Sequence, residues 1–259
     1  MKVIEKIAEE LYSAELLKKT IPPIRTNFTE ERDIESAYQI QHQVTQKKVA
    51  DGARLIGKKV GLTSFAVQEQ LGVDEPDFGI LTDKMQIQNK GTLTFKDLMQ
   101  PKAEAEWAFV LNKDLDTENL NMEQIINAID YAQVAIEIVG SRIENWDIKI
   151  TDTIADNASA SHFVLGDEKI TLSDIDLENC KMQMYKNNSL VSEGTGKDCM
   201  GNPLNSVLWL AKTMKKNNQP LKADDIILSG ALGPMTNLIK GDIIKASIDK
   251  YEEVKFKVN

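Results

Sequence analysis

Two stretches determine the fold around a candidate site: PKAEAEWAFVLN, residues 101–112, and AQVAIEIVG, residues 132–140. Both have the composition of a β-strand, on which alternate side chains share one face. Glu104 and Glu106 therefore lie on the same side of the first strand, about 7 Å apart. Glu137 lies inside the apolar run of the second stretch. Three carboxylates in such surroundings indicate an all-oxygen site for a hard metal ion, Mg²⁺ or Mn²⁺ rather than Zn²⁺.

Two other interpretations of these carboxylates stay open from the residues alone. A strand with one wet face also alternates polar and apolar residues, and this would place Glu104 and Glu106 in solvent. Glu137 is flanked by Ile136 and Ile138 with no basic residue nearby in sequence, so its carboxylate needs a partner. A distant lysine or arginine would serve this purpose as well as a metal ion.

The composition is that of a globular protein with an acidic surface. Of the 259 residues, 42% are hydrophobic and 27% are charged, and no apolar run approaches the ~18 residues of a membrane span. The net charge of -9 argues against a nucleic-acid partner. Cys180 and Cys199 form no CxxC pair, and acidic residues interrupt the apolar pattern of the first helix, so a cytoplasmic location with reduced thiols is expected.

The first part of the chain is predicted to be helical. Apolar residues at helical spacing indicate one helix that begins near Val3 and ends before Pro22-Pro23, and a second helix from about Asp33 to Val49. Further short helices are predicted at Ser64–Leu71, Asn121–Ala132 and Leu204–Met214. Capping-box spacing supports the second of these, and Pro203 precedes the third.

From Leu55 onward, short β-rich runs separated by Gly, Asn and Asp predict mainly strands. The last two, Ile243–Ile248 and Val254–Val258, both alternate and are expected to pair across a turn. The predicted fold class is α+β, with a helical front lobe over residues 1–75 and a β-rich core over residues 76–259 that together form one unit.

Other chemistry-bearing residues carry weaker signals. Lys58 and Lys59 alternate faces on an extended segment, and the pattern of exposure favours a surface position for each. The run TDTIADNAS, residues 151–159, is rich in side chains that commonly cap local backbone. His42 and His162 have no metal-ligand spacing, and no Ser/His/Asp triad can be assembled from them.

Taken together, seven collinear segments resemble the 2-keto-4-pentenoate hydratases of the fumarylacetoacetate hydrolase superfamily. The resemblance covers most of the chain and lies in the following motifs: GKKVGLTS, LGVDEPDFG, PKAEAEWAFVL, AIEIVGSRI, DTIADNAS, GNPLNSVLWLA and DIILSGALGPM. It implies a mixed β-roll core behind a small helical lobe, and it favours the metal-site interpretation of the glutamates over the wet-faced strand.

The resemblance also implies roles for individual residues. Glu104, Glu106 and Glu137 match the family's ExE plus E ligands for Mg²⁺ or Mn²⁺. Lys59 and Asp77 match the acid/base groups, and we expect a metal ion and partial desolvation to lower the pKa of Lys59. Ser159 matches a serine near the substrate in hydratase-like members.

The expected reaction is hydration of 2-hydroxypenta-2,4-dienoate to 4-hydroxy-2-oxopentanoate in meta-cleavage aromatic catabolism. Relatives in the family are homo-oligomers, often pentamers or decamers, and some form complexes with a decarboxylase. The alternatives are 4-oxalocrotonate decarboxylation, hydration of a longer 2-oxo-dienoate, C–C bond hydrolysis, and a non-catalytic partner role. Hydrolysis would need a His/Glu dyad, and His42 has no acid three or four residues away.

Overall fold

The structure is a computed structural model that describes residues 2–28, 32–64, 68 and 75–259. Within these residues the α-helices, in chain order, are Lys2–Leu17 (α1), Ile34–Ala50 (α2), Met122–Ala128 (α3), Ile150–Ala155 (α4) and Pro203–Lys216 (α5). The two predicted front helices are therefore confirmed. The helix predicted at Ser64–Leu71 falls largely outside the described residues. No helix in the described part of the chain is long and apolar enough to cross a membrane.

Local signals set the beginnings of the later helices. The Asn121 side chain accepts a hydrogen bond from the Gln124 backbone N–H, and the Gln124 side-chain oxygen accepts one from the Asn121 backbone N–H, which is the predicted capping box. Pro203 occupies the first turn of α5, where its missing N–H has no cost.

The helix predicted at Asn121–Ala132 is too long, because the chain changes to a strand at Ile129. The residues after Ala128 pair with a neighbouring strand as far as Leu111. Cross-strand pairing therefore overrides the helical spacing of the local sequence, which also suits a strand through its β-branched residues.

Thirteen strands are found among the described residues. In chain order they are Leu55–Gly61 (β1), Asp77–Thr82 (β2), Gln86–Ile87 (β3), Thr92–Leu93 (β4), Lys102–Leu111 (β5), Ile129–Val139 (β6), Ala160–Leu165 (β7), Lys181–Lys186 (β8), Ser189–Thr195 (β9), Ile226–Leu228 (β10), Thr236–Asn237 (β11), Ile243–Ile248 (β12) and Val254–Val258 (β13).

The described strands form two mixed sheets. The larger has the order β2-β1-β10-β5-β6-β7-β3, with β11 pairing on β5, and the smaller has the order β4-β13-β12-β8-β9. Most pairs are antiparallel, whereas β1 with β10, β3 with β7 and β13 with β4 are parallel. The predicted pairing of the last two strands is confirmed by the antiparallel register of β12 and β13.

The main core lies between the two sheets. Trp107 and Phe109 on β5 and Ile136 and Ile138 on β6 are fully buried in one cluster with residues of β8, β12 and β13, such as Ile244. The residues that alternate with them on β5 and β6 lie on the opposite face. Because β5 and β6 are long and central, the glutamates on that opposite face are positioned by the most extensively paired strands of the sheet.

A second cluster joins α1, α2 and α4, with Ile7, Ile40 and Ile154 among its buried residues. The fold class predicted from the sequence, α+β with a mixed β-roll and a helical front lobe, is confirmed. β1 precedes residue 75 and is nevertheless part of the large sheet, where it pairs with β2 and β10. The division into lobes at residue 75 stays a prediction.

Candidate metal centre

Glu104, Glu106 and Glu137 converge on one face of the large sheet. Glu104 on β5 lies directly opposite Glu137 on β6, and Glu106 follows two residues along the same face of β5. One carboxylate oxygen from each residue lies within 4.8 Å of the other two. All three side chains are buried, so the interpretation of a wet-faced strand is wrong for this sheet.

The floor under these carboxylates is apolar. Ala108, Ala135, Phe163 and Leu228 are completely buried and belong to one cluster on this side of the sheet. Apolar surroundings exclude water and strengthen every charge interaction among the carboxylates. The cost of burying three acids here calls for a compensating positive charge.

Two of the three glutamates, Glu106 and Glu137, have buried oxygens that the described residues leave without a hydrogen bond. The backbone N–H of Gly230 donates to Glu106 Oε2, whereas Glu106 Oε1 and both oxygens of Glu137 have no hydrogen-bond partner among the described residues. Burial raises the pKa of all three carboxyls, and that of Glu137 rises to about 8. Mutual repulsion adds to the increase for Glu106 and Glu137. Buried carboxylate oxygens without hydrogen-bond partners fit a hard divalent cation.

Lys59 is a buried cation in direct contact with this cluster. Its ammonium lies 3.3 Å from Glu137 Oε1 and donates to the Ala158 carbonyl at 2.9 Å. Its side chain is 3% exposed, so the surface position favoured by the sequence is wrong. Glu137 thus has the distant lysine that the sequence left open, but a single ammonium cannot neutralise three carboxylates.

The surrounding carboxylates determine the direction in which the pKa of Lys59 shifts. Burial by itself lowers this pKa, but the surrounding carboxylates, with Glu137 the largest contributor, raise it above its usual value. The protein groups alone therefore favour the protonated form of Lys59. The expectation of a lowered pKa concerns a site that holds a metal ion, and it stays a prediction.

Asp77, on the strand next to Lys59, is the fourth buried carboxyl of the site. Thr153 donates to its Oδ2 at 3.1 Å, and its Oδ1 has no hydrogen-bond partner within the described part of the chain. Burial raises its pKa, while Lys59 and Thr153 oppose the increase. Gly61 lies opposite Asp77 in the strand register, and a Cβ there would overlap Asp77 Oδ1. The glycine makes room for this carboxyl.

Ser159 lies just before β7, in the segment that provides the Ala158 carbonyl to Lys59. Its hydroxyl is buried and makes no hydrogen bond to any described residue. The structure thus brings Lys59, Asp77 and the three glutamates together by direct contacts and electrostatic coupling, and it connects Ser159 to them through the adjacent Ala158.

The remaining polar candidates have structural roles. Asp152 accepts from the backbone of Lys149 and from Arg25, and Asn157 exchanges hydrogen bonds with the backbone of Ile80, as the capping interpretation of this run predicts. Lys58 pairs with Asp225 at 3.0 Å. Both cysteines are buried and free.

His42 lies away from the glutamates. It lines a cleft of about 1240 Å³ together with Lys58 and Phe78, which alternate along their strands with Lys59 and Asp77. None of the three glutamates lines this cleft.

Sequence reasoning missed several groups that complete the site. The Gly230 N–H, the space left by Gly61 and the Ala158 carbonyl depend on where the backbone lies. The Thr153 hydroxyl is a side-chain group that α4 brings to Asp77. Gly230 has φ +102°, a conformation that glycine adopts readily, and the glycine in the motif DIILSGALGPM is the only sequence signal for it.

Comparisons with known proteins show what the chain is similar to. Residues 58–259 match the family model described as fumarylacetoacetate (FAA) hydrolase C-terminal. The chain is 47% identical to TodF product hydratase of Pseudomonas putida strain F1 over 245 residues, which cover 95% of this chain and 91% of the relative. It is 45% identical to 2-keto-4-pentenoate hydratase of Paraburkholderia xenovorans strain LB400 over 251 residues, 97% of this chain and 93% of the relative.

Among solved structures, 4-oxalocrotonate decarboxylase from Pseudomonas putida G7, complexed with magnesium and adipate, superposes with a TM-score of 0.95. The two sequences are 30% identical, and the alignment covers 100% of this chain and 97% of the decarboxylase. The matched family model, the extent of both hydratase alignments and the shared fold lead to one conclusion: the chain belongs to the fumarylacetoacetate hydrolase C-terminal family.

Proposed function

We propose that this protein is a metal-dependent hydratase that adds water to 2-hydroxypenta-2,4-dienoate to give 4-hydroxy-2-oxopentanoate. The observation that carries the proposal is the convergence of three buried glutamates beside Lys59, two of which have oxygens without a hydrogen-bond partner among the described residues. The two hydratase relatives, which align with more than nine-tenths of this chain, support water addition as the reaction.

We propose Glu104, Glu106 and Glu137 as ligands for Mg²⁺ or Mn²⁺. Their donor set consists only of carboxylate oxygens, which suits these ions, and the magnesium in the decarboxylase structure supports the assignment. When bound, such an ion supplies Lewis-acid stabilisation of negative charge on the C2 oxygen of the substrate.

The roles of the neighbouring side chains follow from their charge and burial. Protonated Lys59 can bind the substrate carboxylate or donate a proton to an enolate oxygen. Asp77, whose pKa is raised above its ordinary value and whose Oδ1 is unpaired, is suited to taking up and returning a proton. The unpaired Ser159 hydroxyl can hold the substrate or the water to be added.

The reaction is tested with freshly generated 2-hydroxypenta-2,4-dienoate. Its ultraviolet absorbance is followed with enzyme and Mg²⁺ or Mn²⁺, then with excess chelator, and the product is identified by mass. We expect loss of the dienoate with gain of one water, only when metal is present. A dienoate that remains unhydrated under all these conditions would refute the proposal.

Site variants connect the reaction to the residues. Lys59→Met is expected to abolish turnover, whereas Lys58→Met, which removes the adjacent lysine paired with Asp225, leaves it unchanged. Glu106→Gln is expected to remain folded and to lose metal-dependent activity. Wild-type turnover by Lys59→Met, or full metal affinity in Glu106→Gln, would contradict the respective assignment.

A second candidate function is decarboxylation of 4-oxalocrotonate. The close superposition on a decarboxylase along the entire chain favours keeping this candidate. The same experiment decides between the two, because release of CO₂ from 4-oxalocrotonate without hydration of the dienoate would replace the hydratase assignment. A longer 2-hydroxy-dienoate in the same assay tests the length of the substrate tail.

We also propose that the protein forms homo-oligomers, as pentamers or decamers, and that it works in the cytoplasm, with a decarboxylase as a further partner. The family resemblance supports the assembly and the partner, and the two buried free cysteines fit a reducing compartment. Light scattering of the purified protein tests the assembly.

A further inference from the structure

The segment Asn157–Ser159 forms a turn of unusual backbone conformation. Asn157, Ala158 and Ser159 have φ values of 57°, 49° and 55°, so three consecutive residues other than glycine are left-handed. The left-handed conformation is disfavoured roughly 5- to 30-fold for such a residue. Three in succession persist only when the surrounding structure enforces them. We call residues 157–159 the left-handed turn.

The left-handed turn presents two groups to the catalytic region. The Ala158 carbonyl accepts a hydrogen bond from the Lys59 ammonium at 2.9 Å. The next residue, Ser159, has a buried hydroxyl without a hydrogen-bond partner among the described residues. A change of the turn to ordinary right-handed geometry would move both groups.

One arginine binds the chain on both sides of this turn. The Arg142 guanidinium donates to the carboxylate and to the backbone carbonyl of Asp156, which precedes the turn, and to the Ala160 carbonyl, which follows it, at 3.1 Å. The Arg142 backbone N–H donates to the same carboxylate at 2.9 Å. Arg142 and Asp156 are 4% and 3% exposed, so solvent screens this pair very little.

We propose that the Arg142–Asp156 pair is a positioning element of the active site, which holds the left-handed turn so that Ala158 and Ser159 meet Lys59 and the substrate. Arg142 acts through the turn, since its guanidinium bonds are to Asp156 and Ala160. The proposal rests on the proposed function only in the experiments that measure turnover.

Arginine suits this role because its planar fork of donors reaches three acceptors at once, whereas a lysine is a point charge with one nitrogen. Arg142→Lys keeps the charge but cannot hold both sides of the turn. We expect kcat to fall about tenfold or more, while KM and the affinity for Mn²⁺ change less than about threefold, because the ligands lie on β5 and β6.

Arg25→Lys is the matched control. Arg25 also pairs with an aspartate of the same segment, Asp152, at 2.8 Å, but this pair lies at the beginning of α4 rather than at the turn. The control variant is expected to keep wild-type kcat. An equal loss of kcat in both variants would overturn the proposal, because it would reduce Arg142 to general structural support.

A rescue experiment separates positioning from stability. Glycine adopts the left-handed conformation without penalty, so in Ala158→Gly the turn depends less on the Arg142–Asp156 pair. In the Arg142→Lys background, Ala158→Gly is expected to raise kcat about threefold or more, a larger gain than it gives in the wild-type background. Equal effects in the two backgrounds would contradict positioning through the turn.

Amide hydrogen exchange tests the turn without any turnover. The Ser159 amide donates to Asp156, and the Gly140 amide donates to Ser159, so both report on the turn. We expect faster exchange at these two amides in Arg142→Lys, and in Asp156→Asn if the lysine variant does not fold. Unchanged exchange would refute the proposal. A wild-type protein that leaves the dienoate unhydrated would refute the proposed function alone, since the exchange result stands independently.

Discussion

Replacing Glu137 with glutamine is expected to stabilise the protein in the absence of metal and to destroy its metal site. Glu137 is fully buried, and neither of its oxygens has a hydrogen-bond partner within the described residues. Burial raises the pKa of Glu137, Lys59 opposes the increase and Glu104 adds to it, and the net shift is from 4.5 to about 8. Glutamine has nearly the same shape and no charge to desolvate. Lys59 retains Glu104 and Asp77 as neighbouring carboxyls after the change.

The size of the effect follows from proton linkage. The unfolded chain releases this proton above pH 4.5, whereas the folded protein retains it up to pH about 8. The folded state therefore binds more protons in this interval, and the free energy of unfolding falls as pH rises through it. With about 1.4 kcal/mol for each pH unit between 4.5 and 7, the wild type loses about 3 kcal/mol by pH 7. At pH 5 the loss is below about 1 kcal/mol.

The assay is thermal unfolding in excess chelator at pH 5 and pH 7. At pH 7, Glu137→Gln should raise Tm by about 5–10 °C relative to wild type, and the gain should shrink at pH 5. Glu123→Gln, at an exposed glutamate, is the matched control and should change Tm little. Mn²⁺ should raise the Tm of wild type but not of Glu137→Gln. A glutamine variant less stable than wild type at pH 7 would refute the reasoning, because Glu137 would then be well satisfied without metal.

Two further substitutions test the surroundings of the site. Gly230→Ala should lower the Mn²⁺ affinity about tenfold or more in titrations, because it strains the backbone whose N–H donates to Glu106. Gly52→Ala is the control and should leave the Mn²⁺ affinity unchanged. Gly52 also has a positive φ, +87°, but a Cβ there would have no atom within 4 Å. Burial lowers the pKa of His162 from 6.5 to about 4. As the pH falls from 6.5 to 4, the imidazole is therefore protonated in the unfolded chain before it is protonated in the folded protein. The free energy of unfolding falls by about 2 to 3 kcal/mol over this interval. Urea unfolding from pH 7 to pH 4 should show this loss in wild type and His42→Gln but not in His162→Gln; an unchanged pH slope in His162→Gln would contradict it.

The clustering of the three glutamates could be predicted in part from the sequence, because some of the information is local. Alternation along residues 101–112 places Glu104 and Glu106 on one face, and the apolar run around Glu137 marks a buried carboxylate. Register pairing then brings Glu104 opposite Glu137, and this could not be derived from either strand alone.

Other features depend on the order of strands in space. Lys59 is buried because β1 lies between β2 and β10 with its inner face toward the glutamates, and local composition does not encode that placement. The helix expected through Ala132 ends earlier because β6 needs those residues to pair with β5. Arg142 and Asp156 are fourteen residues apart in the chain. Neither the burial of Arg142 nor its hydrogen bonds on both sides of the left-handed turn could therefore be predicted.

The central claim, that three glutamates hold one divalent ion, is tested most directly by a crystal structure of the protein grown with Mn²⁺. An anomalous difference map should show one strong peak within roughly 2.0–2.3 Å of carboxylate oxygens from Glu104, Glu106 and Glu137, and no such peak in crystals of Glu106→Gln. A strong manganese peak elsewhere, or none between the three glutamates of the wild type, would contradict the account.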